Sequence, residues 1–151
     1  MARKEYILFD KDTQAFIYNM QTNAVQRMLD FDYVAGRKTP SVAAIINPTG
    51  SDGIQKFFFG PKEILVPVYK SMKNAMNRHK NVDVIINFAS FRSAVASTEE
   101  AFAFPQIRTV VIIAEGIPER RMRELITKAK QLNKIIIGPA TVGGIVAGAF
   151  K

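Results

Sequence analysis

Five apolar runs, each closed by turn-forming residues and set apart from the next by other segments, constrain this chain more than any other feature of it. They are residues 14–19 (QAFIYN), 42–47 (VAAIIN), 82–90 (VDVIINFAS), 109–116 (TVVIIAEG) and 134–140 (KIIIGPA). Short, nearly all-apolar runs rich in β-branched residues are what strands covered on both faces require. Helical segments separate most of them. Val25, Met28 and Leu29 keep helical spacing until Gly36 stops it, and Val68, Met72, Ala75 and Met76 line one stripe of a second helix that ends at His79. A third helix starts at about Ser93, and a fourth is opened by Pro118, whose missing N–H costs nothing in a first turn. Strand–helix alternation of this kind predicts an α/β fold: a Rossmann-like, doubly wound, mostly parallel sheet of about five strands with helices on both faces. Lys56 to Phe59 and Ile64 to Val68 fit a small hairpin or an edge extension. No internal repeat or low-complexity linker interrupts the pattern, so residues 1–151 read as one domain.

Composition removes several functions. The 151 residues include no Cys and one His, which excludes disulfides, a thiolate nucleophile, Cys-ligated metal and any site built on two imidazoles. No metal site is expected. Charges at Arg3, Lys4, Glu5, Asp10, Lys11 and Asp12 break up the start, and no uncharged apolar run reaches the roughly 18 residues of a membrane span. A soluble, cytoplasmic protein without a membrane partner is expected. The net charge is +8, from 21 Lys+Arg against 13 Asp+Glu. Arg120, Arg121, Arg123, Lys128, Lys130 and Lys134 lie opposite an apolar helix face, which makes them a solvated outer surface. No nucleic-acid module accompanies them, so nucleic acid is not expected as a partner and a phosphate-bearing small ligand explains the excess charge as well.

In open α/β sheets ligands bind beyond the carboxyl ends of the strands, so the chemistry is sought just after each run. The first turn reads NMQTNAVQ where a dinucleotide site would carry G-x-G-x-x-G, but Thr22 and Asn23 can cap the helix and leave its first amides facing an anion. Thr49 lies in the loop Pro48 to Gly53 after the second run. Ser90, Arg92 and Ser93 put a guanidinium and two hydroxyls at a helix start, a set suited to one anionic group, although either serine could instead be a plain helix cap. Phe88 or Phe91 could cover an adenine or a pantetheine arm, or belong to the core. Glu115, before Gly116 and Pro118, could accept from a helix start or orient a ligand. Asp30, Asp32, Asp83, Glu99 and Glu100 are expected in solvent, as is His79 at a helix end.

The segments QRMLDFDYVAGRKTPSVAAIINP, KEILVPVYKSM, VDVIINFASFRSA, IIAEGIPE and IIIGPATVGGI closely resemble the CoA-binding domain of the ATP-citrate lyase (ATP-citrate synthase) family, itself related to the alpha subunit of the succinyl-CoA synthetases. The resemblance runs from about Thr13 to Lys151. It implies a CoA site lined by Ser90, Arg92, Ser93 and Ile113, with Phe88 and Thr49 nearby and Glu115 in a supporting catalytic role. It also implies a reaction in which citrate, CoA and ATP give acetyl-CoA and oxaloacetate through a phosphohistidine and citryl-CoA. ATP and Mg2+ would bind elsewhere, in an ATP-grasp partner, with cleavage in a citrate-synthase-like domain and the whole assembled as an oligomer. The T-G-x-x-G first turn and the strand-two lysine of the synthetases are missing, so their phosphate contacts cannot be copied. The family's phosphorylated histidine is missing too. Residue 151 is therefore expected to mark a cut after the first domain of a longer subunit, which alone would be inactive. A citryl-CoA synthetase, or a non-catalytic nucleotide-binding or assembly module, are the alternatives.

Overall fold

The computed structural model describes residues 7–151, so the expectation placed on Arg3, Lys4 and Glu5 lies outside the described residues. Eleven elements follow one another along the described residues: β1 (Ala15–Tyr18), α1 (Thr22–Val34), β2 (Val42–Ile46), β3 (Gly53–Phe59), β4 (Lys62–Tyr69), α2 (Met72–Arg78), β5 (Val84–Asn87), α3 (Ala94–Phe102), β6 (Thr109–Ile112), α4 (Glu119–Gln131) and β7 (Ile135–Ile137). The strands form one sheet in the order β3-β4-β2-β1-β5-β6-β7. Every neighbouring pair is parallel except β3–β4. The α/β, doubly wound reading is right and the count of five strands is low by two. The two additional strands are the aromatic and apolar runs at 56–68, which form a hairpin whose second strand joins the edge of the parallel set through Ile45↔Val68 and Ile46↔Tyr69.

Period-two alternation divides the strands between two cores. Ala15 and Ile17 of β1 face one side with Val25, Met28 and Leu29 of α1, while Phe16 and Tyr18 face the other with Met72 and Met76, Ala94 and Ala101, and Met122 and Leu125 from α2, α3 and α4. One helix therefore covers the first face and three cover the second. On the α1 side, where no helix among the described residues overlies β5 to β7, segment 142–150 lies against the sheet as a strap that ends in a tight turn, with Val146 and Phe150 bridged to each other. Phe150 is buried there and its ring stacks on Phe9, with centroids 4.7 Å apart.

The strap is fastened at the amino ends of the strands by Arg37, one of the few charged residues in the interior. Its guanidinium donates to the carbonyls of Ala149 (2.7 Å), Thr13 (2.7 Å), Asp10 (3.2 Å) and Thr39 (3.1 Å). Asp32 stands 3.6 Å away and accepts from both the N–H and the hydroxyl of Ser41, each at 2.7 Å. Asp32 was expected in solvent and is fully buried; burial pushes its carboxyl above the ordinary range against the pull of Ser41 and Arg37. The two charges share the interior because four backbone carbonyls take up the guanidinium protons and Ser41 supplies two bonds to Asp32 Oδ2, while Asp32 Oδ1 has no hydrogen-bond partner and is met only by the charge of Arg37. Asp83 is likewise half-buried, 3.4 Å from Arg108.

His79 also departs from its expected place. It is half-buried, with Nε2 3.0 Å from the Tyr69 hydroxyl and its ring edge-on to Phe16 and Tyr69. The helix end that carries it is folded against the core, because Gln106 donates to the His79 and Val82 carbonyls and holds the turn down.

The basic face of α4 is solvated as expected, with Arg120 and Arg121 pairing to Glu124 and Arg123 to Glu119. Lys134 is the exception: its ammonium donates to the Phe104 and Ile107 carbonyls behind α3, and burial lowers its pKa.

Candidate functional site

Parallel pairing brings the ends of the strands into one line. Tyr18 pairs with both Ile46 and Asn87, and Asn87 with Ile112, so the turns after β1, β2, β5 and β6 emerge along the same edge. Single backbone bonds carry the pairing past the strand ends: Asn19 N–H to Ile46 O at 2.8 Å, Phe88 N–H to Tyr18 O at 3.1 Å, Ile113 N–H to Asn87 O at 3.1 Å and, further out, Ala140 N–H to Ala114 O at 2.9 Å. The chain runs outward from β1 to β2 in one direction and from β5 to β6 to β7 in the other. The crevice between the β1 and β5 turns is therefore the topological switch point, where sheets of this class hold ligands.

Thr22 and Asn23 stand on one side of that crevice, and Ser90, Arg92 and Ser93 on the other. Thr22 and Asn23 are exposed in the first turn of α1, but neither caps it: the N-cap is Gln21, which makes no side-chain bond. The helix cap expected of Thr22 and Asn23 is absent. Capping needs a side chain on the residue before the first turn, and Thr22 lies one residue too late. The uncapped first-turn amides, with no acidic side chain among them, keep the positive end of the helix available to an anion.

Ser90, Phe91, Arg92 and Ser93 are all exposed. Neither serine caps α3. Ser93 occupies the N-cap position but its hydroxyl accepts from no first-turn amide; it lies 3.5 Å from both the Ser90 hydroxyl and the Ser90 carbonyl. The Arg92 guanidinium lies over the Phe91 ring, 5.4 Å from its centre, a cation–π stack that holds a flat apolar ring and a positive charge together at the surface. Of the two aromatic candidates, Phe91 is thus the surface ring. Phe88 and Ile113 are half-buried on the α1 side of the sheet and line a cavity of about 470 Å³ with Met28, Ile86 and Ile137 under the strap.

Thr49 lies one strand outward from the crevice, exposed, its hydroxyl 3.3 Å from the Asn47 side chain. Glu115 lies on the opposite flank, beyond β6, exposed, and does not cap α4, whose N-cap Pro118 has no side-chain bond. Among the described residues no group of three or more His, Cys, Asp or Glu side chains is placed to hold a metal ion. No helix there is long and apolar enough to cross a membrane.

Two residues of the crevice were not singled out from the sequence. Asn19 ends β1 at φ 75°, and its amide donates to the Phe88 carbonyl at 3.3 Å, bridging the β1 and β5 turns. Asn87 ends β5 fully buried. Both are asparagines closing an apolar run, and a polar side chain at that point, where a turn must begin, was the available signal.

The CoA binding domain family model matches residues 10–116, which takes in β1 through β6 and every turn described above except that after β7. The chain belongs to the CoA-binding domain family. It is 60% identical over 149 residues to the probable ATP-citrate synthase subunit 1 of Schizosaccharomyces pombe, covering 99% of this chain and 24% of that one. It is 58% identical over 148 residues to the ATP-citrate synthase of Homo sapiens, covering 98% of this chain and 13% of the human one. Among solved structures, ATP citrate lyase from Methanothrix soehngenii in complex with citrate and coenzyme A superposes with a TM-score of 0.95 at 55% identity, over 98% of this chain and 24% of that one. A mutant ATP citrate lyase from Methanosaeta concilii in complex with (3S)-citryl-CoA matches equally well. The chain thus spans about a quarter or less of the length of these members of the family.

Proposed function

We propose that this chain is the CoA-binding part of an ATP-citrate synthase, and that CoA lies along the carboxyl edge of the sheet, across the β1–β5 crevice. The observation that carries the proposal is the convergence, at that crevice, of the uncapped first turn of α1 with the exposed Ser90–Arg92–Ser93 start of α3. CoA presents phosphates, a flat adenine and a long, largely apolar arm. The amides of two helix starts and the Arg92 guanidinium suit the phosphates, and the Phe91 ring suits the adenine. Ile113 and Phe88 offer half-buried apolar surface to the arm, with Thr22, Asn23 and Thr49 as further hydroxyl and amide donors at the rim. These residues fit the ligand in charge and in kind.

The activity proposed for the whole enzyme is formation of acetyl-CoA and oxaloacetate from citrate, CoA and ATP through a phosphohistidine and citryl-CoA, in the cytoplasm. The chain's only histidine, His79, ends α2 against Tyr69 and does not serve as the phosphoryl carrier in this reading. The carrier, ATP with Mg2+ on an ATP-grasp portion, and the citrate-synthase-like portion are supplied by other parts of an oligomeric enzyme. Glu115, exposed after β6, faces that chemistry in a supporting role. Support comes from the relatives' names and lengths and from the two lyase complexes.

Calorimetric titration of the chain with CoA tests the proposal directly. Arg92→Ala is expected to weaken binding by about 1.5–3 kcal/mol, the value of a charge-assisted hydrogen bond. Unchanged affinity in that variant would remove Arg92 from the site. Thermal stabilisation by CoA but not by NAD separates this reading from an ordinary dinucleotide fold, since at a hundredfold excess over Kd a ligand adds about 2.7 kcal/mol.

A further inference from the structure

The loop that carries Ser90, Arg92 and Ser93 closes on itself through the Ser93 and Ala94 N–H groups, which donate to the Ser90 carbonyl at 2.9 and 2.8 Å, and what ties that turn to the sheet and to α3 lies beneath it. Asn87 is 1% exposed, yet both ends of its amide are hydrogen-bonded. Its Oδ1 accepts from the Ala89 N–H at 2.9 Å, and its Nδ2 donates to Ser97 Oγ at 2.8 Å, Thr98 Oγ1 at 3.1 Å and the Ala94 carbonyl at 3.4 Å. Ala89 directly precedes the exposed tetrapeptide 90–93 and Ala94 directly follows it. One buried amide therefore grips both feet of the loop.

The orientation of that amide is dictated by its surroundings. Ser97 and Thr98 spend their hydroxyl protons on carbonyls one turn back, Ser97 on Ser93 O (2.9 Å) and Ala94 O (3.1 Å), Thr98 on Ala94 O (2.7 Å). Both hydroxyls can then only accept from Asn87, and only an NH2 group satisfies them together with the Ala94 carbonyl. A network in which each member has one permitted role is rigid, and low local dielectric strengthens each bond in it.

We propose that Asn87 is a positioning residue for the CoA site: it holds the 88–93 loop in its binding shape before ligand arrives, so that Arg92 and the two hydroxyls meet an anionic group without first being ordered. The proposal rests on the CoA reading above. Its physical content is pre-organisation, which raises affinity by removing an ordering cost and adds no contact with the ligand.

The test compares wild type with Asn87→Asp, which keeps the shape and sets an oxygen against three acceptors, and with Thr98→Val, which removes one acceptor and keeps the volume. CoA affinity is measured by calorimetry, and amide exchange is followed at residues 89–94 and, as an internal reference, at Val110 to Ile112 of β6. The expected result for Asn87→Asp is an affinity loss of about tenfold or more, with faster exchange at 89–94 and unchanged protection in β6. Thr98→Val should show a smaller loss in the same direction. A purely structural role would lower the melting temperature but leave the affinity of the folded protein and the 89–94 exchange pattern as in wild type, and that result overturns the proposal. Should Asn87→Asp fail to fold, Thr98→Val decides by the same two readouts. Absence of CoA binding in wild type would instead overturn the CoA reading, while loop exchange in the variants still reports on the clamp.

Discussion

The guanidinium of Arg37 donates a 2.7 Å hydrogen bond to the carbonyl of Ala149, 112 residues further along the chain. The same group holds Thr13 and Asp10, so one side chain joins the entry to β1, the end of α1 and the strap that covers the α1 face. Arg37→Met should therefore destabilise the fold well beyond an ordinary surface change, by about 3–5 kcal/mol, because it also leaves Asp32 as an uncompensated buried charge. Urea denaturation monitored by far-UV circular dichroism would show it; a midpoint within error of wild type would mean the buried network carries no net stability.

A second prediction concerns pH. Burial, with Arg78 adding repulsion, lowers the His79 pKa below its ordinary 6.5. The folded state then binds fewer protons than the unfolded state as pH falls below that value, so the contribution of neutral His79 is fully present above 6.5 and is lost on acidification through the lowered pKa. His79→Phe should flatten this part of the stability profile. Subtracting the variant's unfolding free energies from those of wild type between pH 7.5 and 5 isolates the effect from the carboxylates, and a difference that does not change with pH would refute it.

The backbone at Asn19 supplies a third. At φ 75° it occupies the left-handed region, which glycine enters freely, asparagine tolerates and β-branched residues resist. Asn19→Gly and Asn19→Val both delete the bond to Phe88, so their difference reports the backbone alone. Val should be the less stable by about 1–2 kcal/mol. Equal melting temperatures for the two would show that the turn relaxes without cost.

Gly138 gives a fourth. A Cβ there would stand 2.3 Å from the Ile112 carbonyl oxygen, with φ at 99°, so Gly138→Ala must part the ends of β6 and β7. A loss of about 1–3 kcal/mol is expected, together with faster exchange at the Ala140 amide that pairs with Ala114. Gly144→Ala, where a Cβ meets nothing within 4 Å and φ lies outside the positive range, is the control and should be near neutral.

Much of this architecture is written in local patterns. Runs such as VIIN at 84–87 and TVVI at 109–112 are apolar on both faces because both are covered, and their turns fall where polar and small residues interrupt them. Arg92 is legible for the same reason: it follows a buried run and opens a helix. The hairpin was harder, since Lys56 to Phe59 and Ile64 to Val68 show no partner in sequence and only pairing with β2 makes β4 part of the main sheet. Asp32 and His79 were misplaced because burial of a polar group depends on who supplies its bonds. Ser41 and Arg37 for one, and Tyr69 and Gln106 for the other, reach them only through the fold. Asn87 looks in sequence like one more strand residue because its importance comes from the hydroxyls of a helix ten residues on.

The strap has a consequence for how the protein is made. A ribosome releases β1 and α1 early, yet Arg37 cannot complete its bonds, nor Phe9 find its stacking partner, until residue 150 has emerged. During synthesis, the three-helix side of the sheet can close as each helix appears, while the α1 side keeps Ile86 and Val111 open to solvent and to chaperones until residues 146–150 have emerged. A nascent chain stopped before Ala149 should thus carry an almost complete sheet whose α1 face is still bare over β5 and β6.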